Sequence, residues 1–288
     1  MTTNQLSPSR SQRRQFWLLF LPGASWLILF FVLPLLIVLV YSFFTRGPYG
    51  NVVYEFTTAN YIRLSDAIYA TIFTNSLWMA IITTLISLLV GYPLAYFIVK
   101  QSPRWRNVLL LLVIIPFWTN FLVRTYAIMV LFRTEGVVNI LLQSLGIIEE
   151  PLAIMFTPFA VTFGLVYGYL PFMVLPLYAS IEKFDFSLME AAQDLGANVF
   201  RSFVRVMLPL TMPGVVAGCI LVFIPAIGAF VTPDLLGGAK TMMIGNLTQQ
   251  QFLKARNWPF GSATSIALMV IVGLATYLYF RYTDEEAR

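Results

Sequence analysis

The chain contains no histidine and a single cysteine among its 288 residues. Zinc, haem and iron–sulfur centres draw most of their ligands from these two residue types, and one thiol cannot close an intrachain disulfide. Most routes to metal, redox or disulfide chemistry are therefore removed, and no metal site is expected. Cys219 lies inside an apolar run and reads as a small packing residue. Charge is also scarce: 11% of residues are Asp, Glu, Lys or Arg, against about 25% in a soluble domain. A phosphate loop is missing too, because Gly237-Gly238-Ala239-Lys240-Thr241 lacks the G-x-x-x-x-G-K-[ST] spacing and no strand–helix frame surrounds it. The chain is not expected to bind ATP. No nucleophile, base or ligand cluster stands out within the apolar runs, so no catalytic residue is assigned and an enzyme is not expected.

What is abundant is apolar. The hydrophobic fraction is 59% and the mean hydropathy +0.79. Six apolar runs, roughly 16–44, 71–99, 108–132, 153–180, 207–232 and 261–281, are each long enough to cross a hydrocarbon layer about 30 Å thick. The expectation is an all-α polytopic membrane protein with six transmembrane helices and no room for a separate soluble domain. Residues 1–15 read as a basic lead-in, 16–281 as the six-span domain and 282–288 as a tail. The first run is too long for a signal peptide and no small-residue cleavage site follows it. Pro22, Pro34, Pro93, Pro116, Pro171, Pro176 and Pro225 fall inside the runs, where neighbouring helices can satisfy the carbonyls they free.

Lys and Arg collect before the first run, between the second and third (Lys100, Arg104, Arg106), and between the fourth and fifth (Lys183, Arg201, Arg205). Cytoplasmic loops carry such an excess, so both termini and the 181–207 loop are placed in the cytoplasm. The formal charge of +5 thus reports topology and makes no case for nucleic-acid binding.

The 181–207 loop is more than a turn. Ser187 and Glu190 have the S-x-x-E spacing of a capping box, which predicts a helix start. Ala191 and Ala192 offer a face with almost no bulk, and Gly196 suits a left-handed stop. Asn198 can cap a second helix, along which Phe200, Phe203, Val204 and Met207 recur at one-face spacing before Pro209. From spacing alone, a docking surface for a protein partner and an amphipathic hairpin lying on lipid headgroups are both open.

Glu190-Ala191-Ala192, three residues, Gly196, nine residues, Val206, one residue and Leu208-Pro209 resemble the EAA loop of the membrane subunits of binding-protein-dependent ABC importers, with Val206 where Ile is usual. Pro116-Phe117-Trp118-Thr119-Asn120, Leu170-Pro171-Phe172-Met173-Val174, Asp194-Leu195-Gly196-Ala197, Leu236-Gly237-Gly238 and Asn257-Trp258-Pro259-Phe260-Gly261 further resemble the spermidine/putrescine (PotB-type) permease family. The resemblance implies a type I ABC importer permease (MetI-like) fold in the bacterial inner membrane, working by alternating access. Implied partners are two ATPase subunits carrying the ATP and Mg, a second homologous permease subunit, and a periplasmic or lipid-anchored solute-binding protein. It also implies that Glu190, Ala191, Ala192, Asp194 and Gly196 couple this chain to the ATPase, and that the cargo is a polyamine. An organophosphonate or other small solute is the alternative cargo. An ion-driven secondary transporter would be expected to bury ionisable residues mid-span, often with an internal repeat, and neither is found.

A polyamine can be held by carboxylates and aromatic faces. Asp234 at the outer end of the fifth run, and Phe117, Trp118, Asn120, Tyr167 and Tyr169 in the third and fourth, are the candidates. Each also has a plain structural reading, as a span end, an interfacial belt or core packing. Gly164-x-x-x-Gly168 and Gly214-x-x-x-Gly218 suit close helix crossings, within the chain or across a permease pair. Arg124 lies well inside the third run. It is expected to snorkel to the outer interface and, as a cation, is left out of the substrate path. Residues 135–150 and 242–257 read as short interfacial helices.

Overall fold

The computed structural model describes residues 10–286. Helix α1 (Arg10–Leu27) passes through a π turn at Ile28–Val32 into α2 (Leu33–Tyr41). A two-stranded antiparallel hairpin follows, β1 (Thr45–Arg46) with β2 (Val52–Val53), then α3 (Ala59–Leu64) and the long α4 (Ala67–Val99). α5 (Pro103–Trp118) and α6 (Phe121–Phe132) meet end to end, α7 (Val137–Ser144) is short, and α8 (Pro158–Glu182) crosses back. The loop helices α9 (Ser187–Asp194), α10 (Val199–Ser202) and α11 (Leu208–Leu210) lead into α12 (Met212–Ile227). A π turn at Pro233–Gly237, α13 (Ile244–Gln249) and α14 (Trp258–Glu286) complete the chain. Residues 1–9 and 287–288, from the expected lead-in and tail, lie outside the described residues; α1 already begins inside that lead-in and α14 runs into the tail.

Among the described residues, six helical segments are long and apolar enough to cross a membrane if the pair Val199–Leu210 and Met212–Ile227, bent by 70°, is taken as one span. The apolar runs locate them, but two runs are not single helices. The third is broken at Thr119–Asn120, where Thr119 turns extended (ψ 148°), its Oγ1 donates to the Pro116 carbonyl at 2.6 Å and Asn120 starts the next helix. The fifth ends at Ile227 instead of 232: Gly228 closes the helix and residues 229–230 have no regular structure before the chain coils again.

Lipid removes the hydrophobic incentive for helices to associate, so they pack by shape. The innermost trio is α4, α8 and α12. Along α4 the buried face from Ser76 to Ala95 is mostly small, with Ser76, Ala80, Thr83, Thr84, Ser87, Gly91 and Ala95 beside the larger Met79 and Tyr92. Opposite them stand larger groups from α8: a Cβ placed on Gly91 would come within 2.9 Å of Met173 Cγ. Gly214 and Gly218 do the same for α12. A Cβ at Gly214 would strike Ser180 and lie 2.8 Å from the Pro176 carbonyl, and one at Gly218 would lie 2.7 Å from Met173 Sδ. Both glycines therefore serve the α8–α12 crossing within this chain. The α8 pair is asymmetric: Gly164 receives Thr232 and Leu236, whereas Gly168 meets only the Phe121 ring at 3.6 Å.

The segment after α12 folds into the bundle. Asn246 Nδ2 donates to the Phe230 carbonyl at 2.8 Å, the Ile244 N–H donates to Ser76 Oγ at 2.7 Å, and Ile244–Leu247 are all buried. The 242–257 stretch thus is not a helix resting on lipid. The Phe230 carbonyl beyond the α12 break thus accepts twice, from Asn246 and from the Asp234 N–H at 3.0 Å. In contrast, the run Leu18–Tyr41 is apolar along its length and buried nowhere in its most apolar window; α2 touches α14.

Gly214→Val is expected to destabilise the bundle by about 1–3 kcal/mol, the usual range for overpacking. Gly273→Val, where no neighbour lies within 4 Å, should change little. Thermal unfolding of the two purified variants in detergent checks the difference.

Candidate functional site

The loop between α8 and α12 is structured and largely exposed. α9 starts without the expected capping box. Asp185 Oδ1 accepts from the Ser187 N–H at 3.0 Å, while Ser187 and Glu190 both face out. Ser187 falls inside the first turn, and the stronger acceptor, a carboxylate two residues upstream, takes the capping role. Those hydrogen bonds from Ser187, backbone first, hold the Asp185 carboxyl below the usual carboxylate range.

The stop is as expected. Gly196 has φ +89°, its N–H reaches the Gln193 carbonyl at 2.8 Å, and the Ala197 N–H reaches Ala192 at 3.0 Å, the paired bonds of a Schellman motif. Asn198 Oδ1 then accepts from the Arg201 N–H at 2.8 Å and starts α10. The stripe expected on that second helix does not face one way. Met207 is fully buried and Phe203 stands edge-on to Tyr92 at 5.3 Å, but Phe200 and Val204 are exposed. A π turn over Phe203–Met207 adds a residue to that turn and rotates the register.

Within α9 only Met189 is buried; Glu190, Ala191, Asp194 and Gly196 face outward and Ala192 is half-buried. Met189 belongs to a cluster with Ile98, Val99, Ile181, Phe184 and Met207. Lys100 sits 3.7 Å from the Phe186 ring centroid. Arg106 binds Glu182 at 2.8 Å and the Val99 carbonyl at 2.8 Å, and Tyr178 donates to Glu182 at 2.6 Å. An exposed ion pair adds only about 0–1 kcal/mol, so its role here is positional: it ties the ends of α4, α5 and α8 beneath the loop. The loop is thus a stiff protrusion seated on the ends of three spans. Beside it, a notch of about 290 Å³ is lined by Ala192, Leu195, Gly196, Arg201 and Arg205, among others.

Inside the bundle, the residues put forward for a cargo path separate into two groups. Phe117 lies in the last turn of α5 with its ring edge-on to Phe172 at 5.0 Å, and Tyr169 lies 6.4 Å from Phe172 while donating to the Pro225 carbonyl at 3.3 Å. Asn120 caps α6, its side chain accepting from the Leu122 N–H at 2.8 Å. Trp118 and Tyr167 are exposed. Asp234 is exposed on the Pro233–Gly237 turn, and its carboxylate makes no ion pair among the described residues. Nothing in the structure joins Asp234 to the aromatic group. Arg124 does not snorkel: only 9% exposed, its guanidinium lies 5.6 Å from the centroids of both Phe117 and Phe121. The helix break turns α6 so that this side chain points into the protein. Phe121 and Phe172 were missed in the sequence; the i, i+3 spacing of Phe121 and Arg124 was the available signal.

The fold is an apolar helical bundle of membrane type with a structured, outward-facing loop before its penultimate span. Residues 87–285 match the model of the binding-protein-dependent transport system inner membrane component, and the chain belongs to that family. It is 51% identical over 257 residues, 89% of this chain, to the spermidine/putrescine transport system permease protein PotB of Salmonella typhimurium (strain SL1344), covering 90% of that protein. The identity to PotB of Escherichia coli (strain K12) is also 51%, over 89% of this chain and 94% of the relative. A bacterial alginate ABC transporter, solved with an alginate-pentasaccharide-bound periplasmic protein, has a chain of the same fold: TM-score 0.75 at 18% identity, covering 94% of this chain and 96% of that one.

Asp185→Ala is expected to loosen the start of α9, because the Ser187 N–H loses its acceptor. Faster amide exchange at 187–190 checks it. Because the folded-state carboxyl is depressed, its contribution is present above the unfolded-state value and is lost as pH falls through the folded one. Protection in the parent chain should therefore fall on acidification in that range, once intrinsic exchange is corrected, and stay flat in the variant.

Proposed function

We propose that this permease subunit imports polyamines, with α9 as the coupling helix that docks on a separate ATPase. The observation that carries the coupling is the exposed Glu190-Ala191-Asp194 face on a protrusion anchored by Met189 and closed at Gly196. Small side chains admit a partner surface closely, and the anchor makes movement of α9 a movement of α4 and α8. The Lys/Arg bias supports placing this loop and both termini on the cytoplasmic side. ATP and Mg belong to the ATPase, one copy for each permease half. The uncovered face of α1 and α2 fits a second permease subunit or lipid. Cargo would be delivered by a solute-binding protein. The 51% identity to permeases named for spermidine and putrescine supports the cargo, as do the aromatic faces of Phe117 and Tyr169.

In proteoliposomes holding the complete assembly, Glu190→Lys combined with Gly196→Val should cut spermidine uptake by about tenfold or more while the subunit still inserts. Full uptake in that double variant removes the coupling role. Asp234→Asn should lower uptake about threefold or more, with subunit assembly unchanged, as expected for the loss of a carboxylate beside a cationic path. Unaltered uptake kinetics would take Asp234 out of the path.

A further inference from the structure

We propose that Arg124 is a resident cation of the cargo path. Its guanidinium occupies the faces of Phe117 and Phe121 while the path is empty, and competes for them with an arriving ammonium group. The inference rests on the polyamine reading above.

Arginine stays charged at any accessible pH, and burying a charge without hydrogen bonds is costly. Nε and Nη1 of Arg124 are nevertheless buried with no hydrogen-bond partner. Nor does a carboxylate neutralise the side chain: the ion pair found among the described residues, Arg106 with Glu182, involves other groups at the α9 end. What holds the charge is aromatic. The two rings lie at the same 5.6 Å from Cζ, inside the roughly 6 Å limit of a cation–π contact, and Phe117 is itself braced by Phe172. A structural arginine would be expected to have found an acceptor. This one is held by the type of surface that recognises an alkylammonium.

The neighbourhood is also reachable. Phe117, Trp118, Thr119 and Asn120 are exposed, and the two rings belong to different helices separated by the Thr119–Asn120 break. Phe117 can therefore shift without unpacking Phe121. A polyamine ammonium at this break meets a ring face already holding a positive charge, and the two cations repel. Binding is kept weak and cargo moves on, which suits a path fed by a separate receptor. Arg124 is thus a specificity-determining and release residue, acting through charge on the rings that contact cargo.

The test uses the full assembly in nanodiscs, with spermidine and putrescine binding measured by calorimetry and uptake measured after reconstitution. Arg124→Met, similar in length and uncharged, should bind spermidine on the order of tenfold tighter and turn over more slowly. Arg124→Lys should stay near the parent in both. Phe117→Leu should weaken binding, and in the Arg124→Met background should abolish the gain. Unchanged or weaker binding in Arg124→Met overturns the proposal, as does unchanged binding in Phe117→Leu. If Arg124→Met fails to assemble, Arg124→Lys decides the matter together with Phe117→Leu: a lysine variant that also fails shows a guanidinium-specific structural role and overturns it. A parent assembly that binds and imports no polyamine sinks the polyamine reading and this inference with it; a parent that binds, with no tightening in Arg124→Met, sinks the inference alone.

Discussion

Close approach of backbones is the constraint on which this molecule depends. In lipid a leucine gains nothing by turning inward, so α4, α8 and α12 are held by contacts that only small residues permit. The face running from Ser76 to Ala95 on α4, with Gly214 and Gly218 on α12, brings the three axes together around Met173, Val174 and Leu177. Hydroxyls within this trio add direction, as in the 2.8 Å bond between Tyr92 and Thr211 across α4 and the start of α12. Those helix ends, so fixed, form the seat on which everything at the loop end rests.

Stiffness at that end follows from the seat. Met189 and Met207 reach from two loop helices into the same cluster as Ile98 and Ile181, so the hairpin between α8 and α12 cannot tilt without disturbing the spans. Each helix of the hairpin has its own start and stop: Asp185 and the Gly196 turn for α9, Asn198 for α10. The hairpin thus combines local capping with attachment to the ends of the spans. The outer face of α9, with Glu190, Ala191 and Asp194, is left exposed.

Much of this was legible in the chain because it depends on local chemistry. Runs of about 20 apolar residues can only be crossings in a chain with so little charge, and the glycine at 196 and asparagine at 198 act through bonds to residues two to five positions away. The cap at the start of α9 was read from the wrong residue. Ser187 has the right spacing, but the choice between its hydroxyl and the Asp185 carboxylate depends on how the turn leaves α8. Likewise the breaks at Thr119–Asn120 and at Gly228 were hidden inside unbroken hydropathy, because proline and glycine in a membrane run are compatible with either a kink or an end.

The amino-acid order by itself determined that the chain lives in lipid, how many times it can cross, and where a capped polar hairpin interrupts the crossings; these follow from hydropathy and from bonds between near neighbours. Tertiary structure alone decided that the glycines of α12 meet α8 within the same chain, that residues 244–247 are tucked beneath a broken span, and that Arg124 points inward onto two aromatic rings. Those outcomes depend on which helices lie side by side and on how each is rotated about its axis. In a chain apolar on nearly every face, no periodic pattern records that rotation.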